Sequence, residues 1–142
     1  MKVKQALGLM VLWAVSAAGC SMLPPGAAAN AESGTVNYSF YSADNYKTVF
    51  ARVLLRATEC VPSIGLSRTK VTGELFENTQ SARIAVAQQG ISGNITHMPI
   101  EVTTEHGRTR VTVQNSLKRW NSHARAVQAW ALDETKGCEP GT

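Results

Sequence analysis

The period of the apolar residues between Ser67 and Asn115 is the feature that most constrains the fold of this chain. Apolar and polar residues alternate through this stretch, and the pair His106-Gly107 supplies a hairpin turn. Successive side chains of a strand point to opposite faces of a sheet, so a period of two predicts strands with one buried and one solvated face. Pro99 cannot donate to a strand ladder and predicts an edge or a bulge. We therefore expect an antiparallel meander of three or four strands.

Apolar residues at helical spacing flank the meander on both sides. They predict helices over Ala43–Cys60 and Leu117–Glu134. Ser42 is a suitable N-terminal cap for the first helix, and Pro62 ends it, since the residue before a proline avoids helical backbone. The alternating stretch 35–40 allows one further short strand. The pattern predicts an α+β two-layer sandwich in which both helices cover one face of the sheet.

The first 19 residues have the layout of an export signal. Lys2 and Lys4 precede an apolar run from Ala6 to Val15, and small residues lead to Ala17-Ala18-Gly19-Cys20. This segment resembles the signal peptide of bacterial lipoproteins, in which the cysteine is acylated and becomes the first mature residue. The resemblance implies that Cys20 carries a diacylglyceryl group and a further acyl chain such as palmitate. Two or more acyl chains anchor a protein stably in a membrane.

The leader also sets the expected domain organisation. It predicts a signal peptide over 1–19, a lipidated tether over 20–34 and a single periplasmic α+β domain over 35–142. Ser21 stands where lipoproteins retained in the inner membrane usually have Asp, so the resemblance favours the outer membrane, facing the periplasm. An ordinary secretory peptide or an N-terminal transmembrane helix is the alternative, but the apolar run is shorter than the roughly 20 residues that a bilayer requires. Loss of the two leader lysines lowers the net charge from +4 to +2.

The remaining cysteines, Cys60 and Cys138, form an even pair once Cys20 is assigned to lipid. An exported protein can form disulfides, so we expect a bridge between them. Four strands between the helices would make the helices antiparallel and separate the two cysteines. The bridge therefore requires either a strand fewer than predicted or a tail after Ala131 that folds back towards Cys60.

No residue pattern predicts an enzyme, a cofactor or a metal site. Ser67-x-x-Lys70 has the spacing of a serine acyl-enzyme motif, but it falls in a predicted strand, where the two side chains would point to opposite faces. His97, His106 and His123 lack the spacing of metal ligands, so we expect them to be solvated.

A basic and aromatic group at the second helix is the remaining candidate for binding. Lys118 and Arg119 could contact an anionic envelope ligand, and Trp120 and Trp130 could line a cavity with Phe50 and Met98. Core packing of the two tryptophans is the alternative. Beyond the leader, no motif ties the domain to a particular family.

These observations favour a non-catalytic, membrane-anchored lipoprotein that binds another envelope protein, as an accessory subunit of a complex. The alternative is a binding module for a small apolar or anionic envelope ligand, a lipid or a glycan. Nucleic acid is not expected as a partner, because the compartment lacks it.

Overall fold

A computed structural model describes residues 35–139, which form a five-stranded antiparallel sheet and two helices. The strands are β1 (Val36–Ser42), β2 (Arg68–Phe76), β3 (Ser81–Gly90), β4 (Gly93–Glu105) and β5 (Arg108–Asn115), and the helices are α1 (Tyr46–Cys60) and α2 (Asn121–Ala131). The strand order is β1-β5-β4-β3-β2, so β2 to β5 form a meander and β1 joins its far side through β5. The α+β two-layer sandwich is confirmed.

Both helices pack on one face of the sheet. Alternate residues of the three central strands point into this layer and are fully buried, among them Ile84, Ile100, Val102, Val111 and Val113. At β2, Gly73 permits the closest approach of α1, because an added Cβ would lie 2.7 Å from the Phe50 ring. Neither of the two described helices lies on the opposite face of the sheet.

The helix limits differ from the predicted ones for identifiable reasons. Ser42 is the last residue of β1, and Asn45 caps α1 instead by accepting a hydrogen bond from the Lys47 N–H. The second helix begins with a separate 3-10 turn, Lys118–Trp120, and α2 ends at Ala131.

Pro99 lies beside an irregularity in β4. The register of β3 and β4 shifts between Val86 and Ala87, which leaves His97 as the extra residue on β4. The ladder from β4 to β5 begins only at Ile100, so the missing N–H of Pro99 disrupts no pairing there. The expected bulge is therefore present.

The two helices are antiparallel, as four intervening strands require. The Trp120 indole donates to the Pro62 carbonyl just beyond α1, whereas Arg52, half-way along α1, donates to the carbonyl of Ala131 at the end of α2. The meander between the helices therefore has four strands, the larger of the two predicted numbers. The further strand that the stretch 35–40 allows is β1, before α1.

The tail after α2 folds back and closes the predicted disulfide. Asp133 adopts a left-handed conformation with φ of 57°, and the N–H of Glu134 donates to the carbonyl of Ala129, which is the Schellman arrangement at a helix end. The reversed chain then runs alongside α1 from the level of Arg52. The distance along α1 from Arg52 to Cys60 is about 12 Å. The seven residues 132–138 can span more than that when they are extended. Cys60 and Cys138 are bonded, with Cα atoms 5.1 Å apart.

Candidate functional site

The uncovered face of the sheet is polar and holds a continuous groove. One part has a volume of about 350 Å³, and the adjoining part of about 300 Å³ shares Arg83 and Glu101 with it. Three central strands line the two parts, with Ser81, Ala82, Arg83 and Ala85 on β3, Thr96, Pro99, Glu101 and Thr103 on β4, and Thr112 and Gln114 on β5. The groove therefore runs along the strands, and Phe76 and Thr79 border its far end.

Arg83 and Glu101 form the centre of this groove. They are directly opposite each other on β3 and β4, and their side chains are 3.4 Å apart at the closest nitrogen and oxygen. Both side chains are more than half exposed, at 59% and 55%. An exposed pair of this kind adds little to stability, so both charges are free to interact with a bound molecule.

A second polar cluster lies on the same face, towards the β4–β5 hairpin. The Tyr41 hydroxyl donates to Glu105 at 3.0 Å, Arg110 donates to the same carboxylate at 3.2 Å, and the Arg108 guanidinium lies 5.2 Å from the centre of the Tyr41 ring. The hydrogen bonds from Tyr41 and Arg110 lower the pKa of Glu105. The cluster holds a carboxylate in its charged form at the border of the groove face.

The tryptophans that were candidates for a ligand cavity lie in the core. Trp120 is fully buried and Trp130 is 1% exposed, and both belong to the cluster that contains Met98 and Phe50. The Trp120 indole N–H is bonded to Pro62, whereas the Trp130 indole N–H is buried without a hydrogen-bond partner in the described part of the chain. A ligand that touched either ring would have to displace core side chains.

Lys118 and Arg119 lie at the surface, whereas the next residue, Trp120, is buried. Both are exposed, in the 3-10 turn that precedes α2. This turn lies at the end of the sheet where β5 finishes, because the N–H of Ser116 donates to the carbonyl of His97 and the His97 ring contacts the Trp120 ring edge-on. The two cations are therefore surface groups at one end of the domain.

The histidines occupy three different environments. His97 lies with its Nδ1 3.2 Å from the Ser116 hydroxyl, His106 is an exposed residue of the β4–β5 hairpin with φ of 50°, and His123 is on α2. Burial lowers the pKa of His123. Within residues 35–139, no three His, Cys, Asp or Glu side chains are grouped so that they could hold a metal ion.

Sequence reasoning did not select Arg83, Glu101 or Gln114 as site residues. Each is one of many polar residues in the alternating strands, and a single sequence does not show which of these residues lie together. Only the register places Arg83 opposite Glu101 and sets Thr112 beside them. Cys20, the predicted lipidation site, lies outside the described residues.

Comparisons with protein-family models, curated proteins and solved structures found no match to this chain. Neither helix within residues 35–139 has the length and apolar character needed to cross a membrane.

Proposed function

We propose that this chain is a lipid-anchored envelope protein whose domain binds an extended segment of another envelope protein in the groove on the uncovered sheet face. The domain is a non-catalytic binding module, and Cys20 carries the lipid. The binding part of the proposal rests on the two-part groove that has the Arg83–Glu101 ion pair at its centre.

The dimensions of the groove suit an extended peptide. From Thr96 to Thr103 it follows β4 for about 20 Å at the usual rise of a strand. Its lining offers hydroxyl, amide and charged groups along the length, and the half-exposed Phe76 ring at one end offers an apolar contact. The polar side chains of the lining can bond the main-chain N–H and C=O groups of an extended chain, each of which needs a partner when it is buried.

The leader supports the anchoring part of the proposal. The run Ala17-Ala18-Gly19-Cys20 follows a short apolar segment, and the 14 residues between Cys20 and Thr35 are rich in Ala, Pro and Gly. A tether of that length spans about 20 Å on average, which holds the domain close to the bilayer. Replacing Cys20 with Ser should move the protein from the membrane fraction to the soluble fraction of the envelope. Unchanged membrane association would contradict lipid anchoring.

Site-specific photocrosslinking in intact cells tests the groove. A photoreactive residue at Gln114, in the groove, should capture one protein partner reproducibly, whereas the same residue at the exposed Ala51 on α1 should not. Arg83→Glu should reduce capture from position 114, because it reverses the charge at the centre of the groove. Arg125→Glu, the same change on the exposed surface of α2, is the matched control.

Two results would contradict peptide binding. Equal capture from the groove and the helix layer would show that the groove has no special role. Capture of only a lipid or a glycan at Gln114 would instead favour a small-ligand module.

A further inference from the structure

Three apolar side chains project from one end of the sheet, where no other part of residues 35–139 buries them. Leu66 and Ile91 are fully exposed and Ile95 is 57% exposed. We refer to Leu66, Ile91 and Ile95 as the apolar tip. Gly90 pairs with Gly93, so Ile91 and Ser92 form a two-residue hairpin turn. Turns of this length favour Gly, Asn and Asp, so turn chemistry does not explain an isoleucine at this position.

Leu66 and Ile91 of the apolar tip are close in space although two segments supply them. Arg68, near the start of β2, pairs with Gln89 on β3, which places Leu66 beside the end of the β3–β4 hairpin. Leu66, Arg68 and Ile91 line one shallow depression. An arginine therefore lies beside the two fully exposed side chains of the tip.

Basic side chains lie at the same end of the sheet as the apolar tip. Arg68 lies within the depression, and Lys118 and Arg119 are exposed at the same end, since their turn contacts His97 and Pro62 through Trp120. Within the described part of the chain, no acidic side chain lines the depression that Leu66, Arg68 and Ile91 share. The projection itself is apolar with a basic border.

The chain joins the domain at this end. Val36, the first residue of β1, pairs with Asn115, the last residue of β5. Asn115 is followed by Ser116, which bonds to His97 on the β4 segment that leads to the tip. A tether from Cys20 therefore reaches the domain on the side where the apolar tip projects.

We propose that the apolar tip and its basic border rest on the anionic lipid surface in which the chain is anchored. This inference relies on the proposed lipid anchoring and is independent of the groove. Leu66 and Ile91 would enter the interfacial region, and Arg68, Lys118 and Arg119 would lie at the level of the phosphates. A protein partner fits the tip less well, because a specific protein interface buries about 1,000 Å² or more. Three projecting side chains supply only part of that area.

Photocrosslinking with the full, lipidated chain in its native membrane tests the contact. A photoreactive residue at position 66 or 91 should form adducts with phospholipid, detected by mass spectrometry of the purified protein. The matched controls are Leu55 on α1 and Leu75 near the far end of β2, which are apolar and exposed but lie away from the tip. We expect few lipid adducts at either control position.

The charge border has its own test. Lys118→Gln with Arg119→Gln should lower the lipid-adduct yield at position 91 by up to about 25-fold, since each of the two basic side chains near an anionic surface shifts the docked equilibrium about fivefold. The two-charge control, Lys47→Gln with Arg108→Gln, alters cations at the opposite end of the domain and should leave the yield unchanged.

The outcomes separate this inference from the proposed function. A protein adduct at position 91 in place of lipid, or equal lipid adducts at all four positions, would overturn the membrane contact of the tip while leaving anchoring intact. If the protein stays in the membrane fraction after Cys20→Ser, the proposed lipid anchoring is wrong, and the inference about the tip loses its basis.

Discussion

Replacing both Cys60 and Cys138 with Ala should lower the free energy of unfolding by about 4.5 kcal/mol. The two residues are 78 positions apart, and the chain-entropy relation gives that value for a loop of this length. The bridge acts mainly on the unfolded chain, because it prevents nearly the whole domain from extending. Domains of this size have unfolding free energies of about 5 to 15 kcal/mol, so the change removes a large part of the total.

Urea unfolding followed by circular dichroism and analysed by linear extrapolation measures this loss. The urea dependence of the unfolding free energy should also become steeper, because an unbridged chain exposes more surface when it unfolds. Reduction of the unmodified protein is the matched control, and it should give the same midpoint as the double variant. Reduction of the double variant should change nothing. A loss below about 1 kcal/mol by both routes would refute the loop-closure reasoning.

Three further variants test local features. Trp120→Phe should lower the free energy of unfolding by about 1 kcal/mol more than Trp130→Phe in the same assay. Both changes remove the same volume, but only the Trp120 indole donates a hydrogen bond, to Pro62. Equal losses would contradict this reasoning. Gly73→Ala should cost about 1 to 3 kcal/mol through the clash with the Phe50 ring, whereas Gly90→Ala, whose added Cβ meets nothing closer than 4.0 Å, should be nearly neutral. Tyr41→Phe should raise the pKa of Glu105 in an NMR titration by removing its first hydrogen bond, and Ser39→Ala, which affects a neighbouring bond to Thr112, should not. In the unmodified protein the lowered pKa means that Glu105 stabilises the fold above its unfolded pKa, and that this contribution is lost as the pH falls through the folded value.

Periodicity predicted the layers of this fold because burial on one side of each element is visible in sequence. The alternation through 67–115 became four strands, and the two helical stripes became α1 and α2 on one face. The limits of the helices were less accurate. Ser42 and Asn45 are both good caps by residue type, and only the length of β1 decides between them.

The path of the tail could not be predicted from the same signals. By residue type, Gly137 is the expected left-handed residue after the second helix, because glycine favours that conformation. Asp133 takes that conformation instead, four residues earlier, and the chain turns back at that point. The geometry that joins Cys60 to Cys138 therefore depends on a residue whose type only weakly indicates its role.

The groove depended on information that a single sequence does not contain. Arg83 and Glu101 lie 18 residues apart and are brought together by the register of β3 with β4, which also includes the extra residue at His97. A shift of one residue would have turned each charge towards the core. The apolar tip was equally hidden, since exposed and buried isoleucines look alike when the hairpin turn is not known.

The two proposals define one orientation of the domain on a membrane. The apolar tip and the start of β1 lie at the same end of the sheet, so the strands would stand away from the bilayer when the tip rests on it. The groove follows β3 and β4, with Thr96 at the end nearer the tip and Phe76 at the far end. It would therefore face sideways, open to a protein that extends from the same membrane. Contact by the tip would also reduce the rotational freedom of the tethered domain, and a restrained domain presents its binding face at lower entropic cost than a freely moving one.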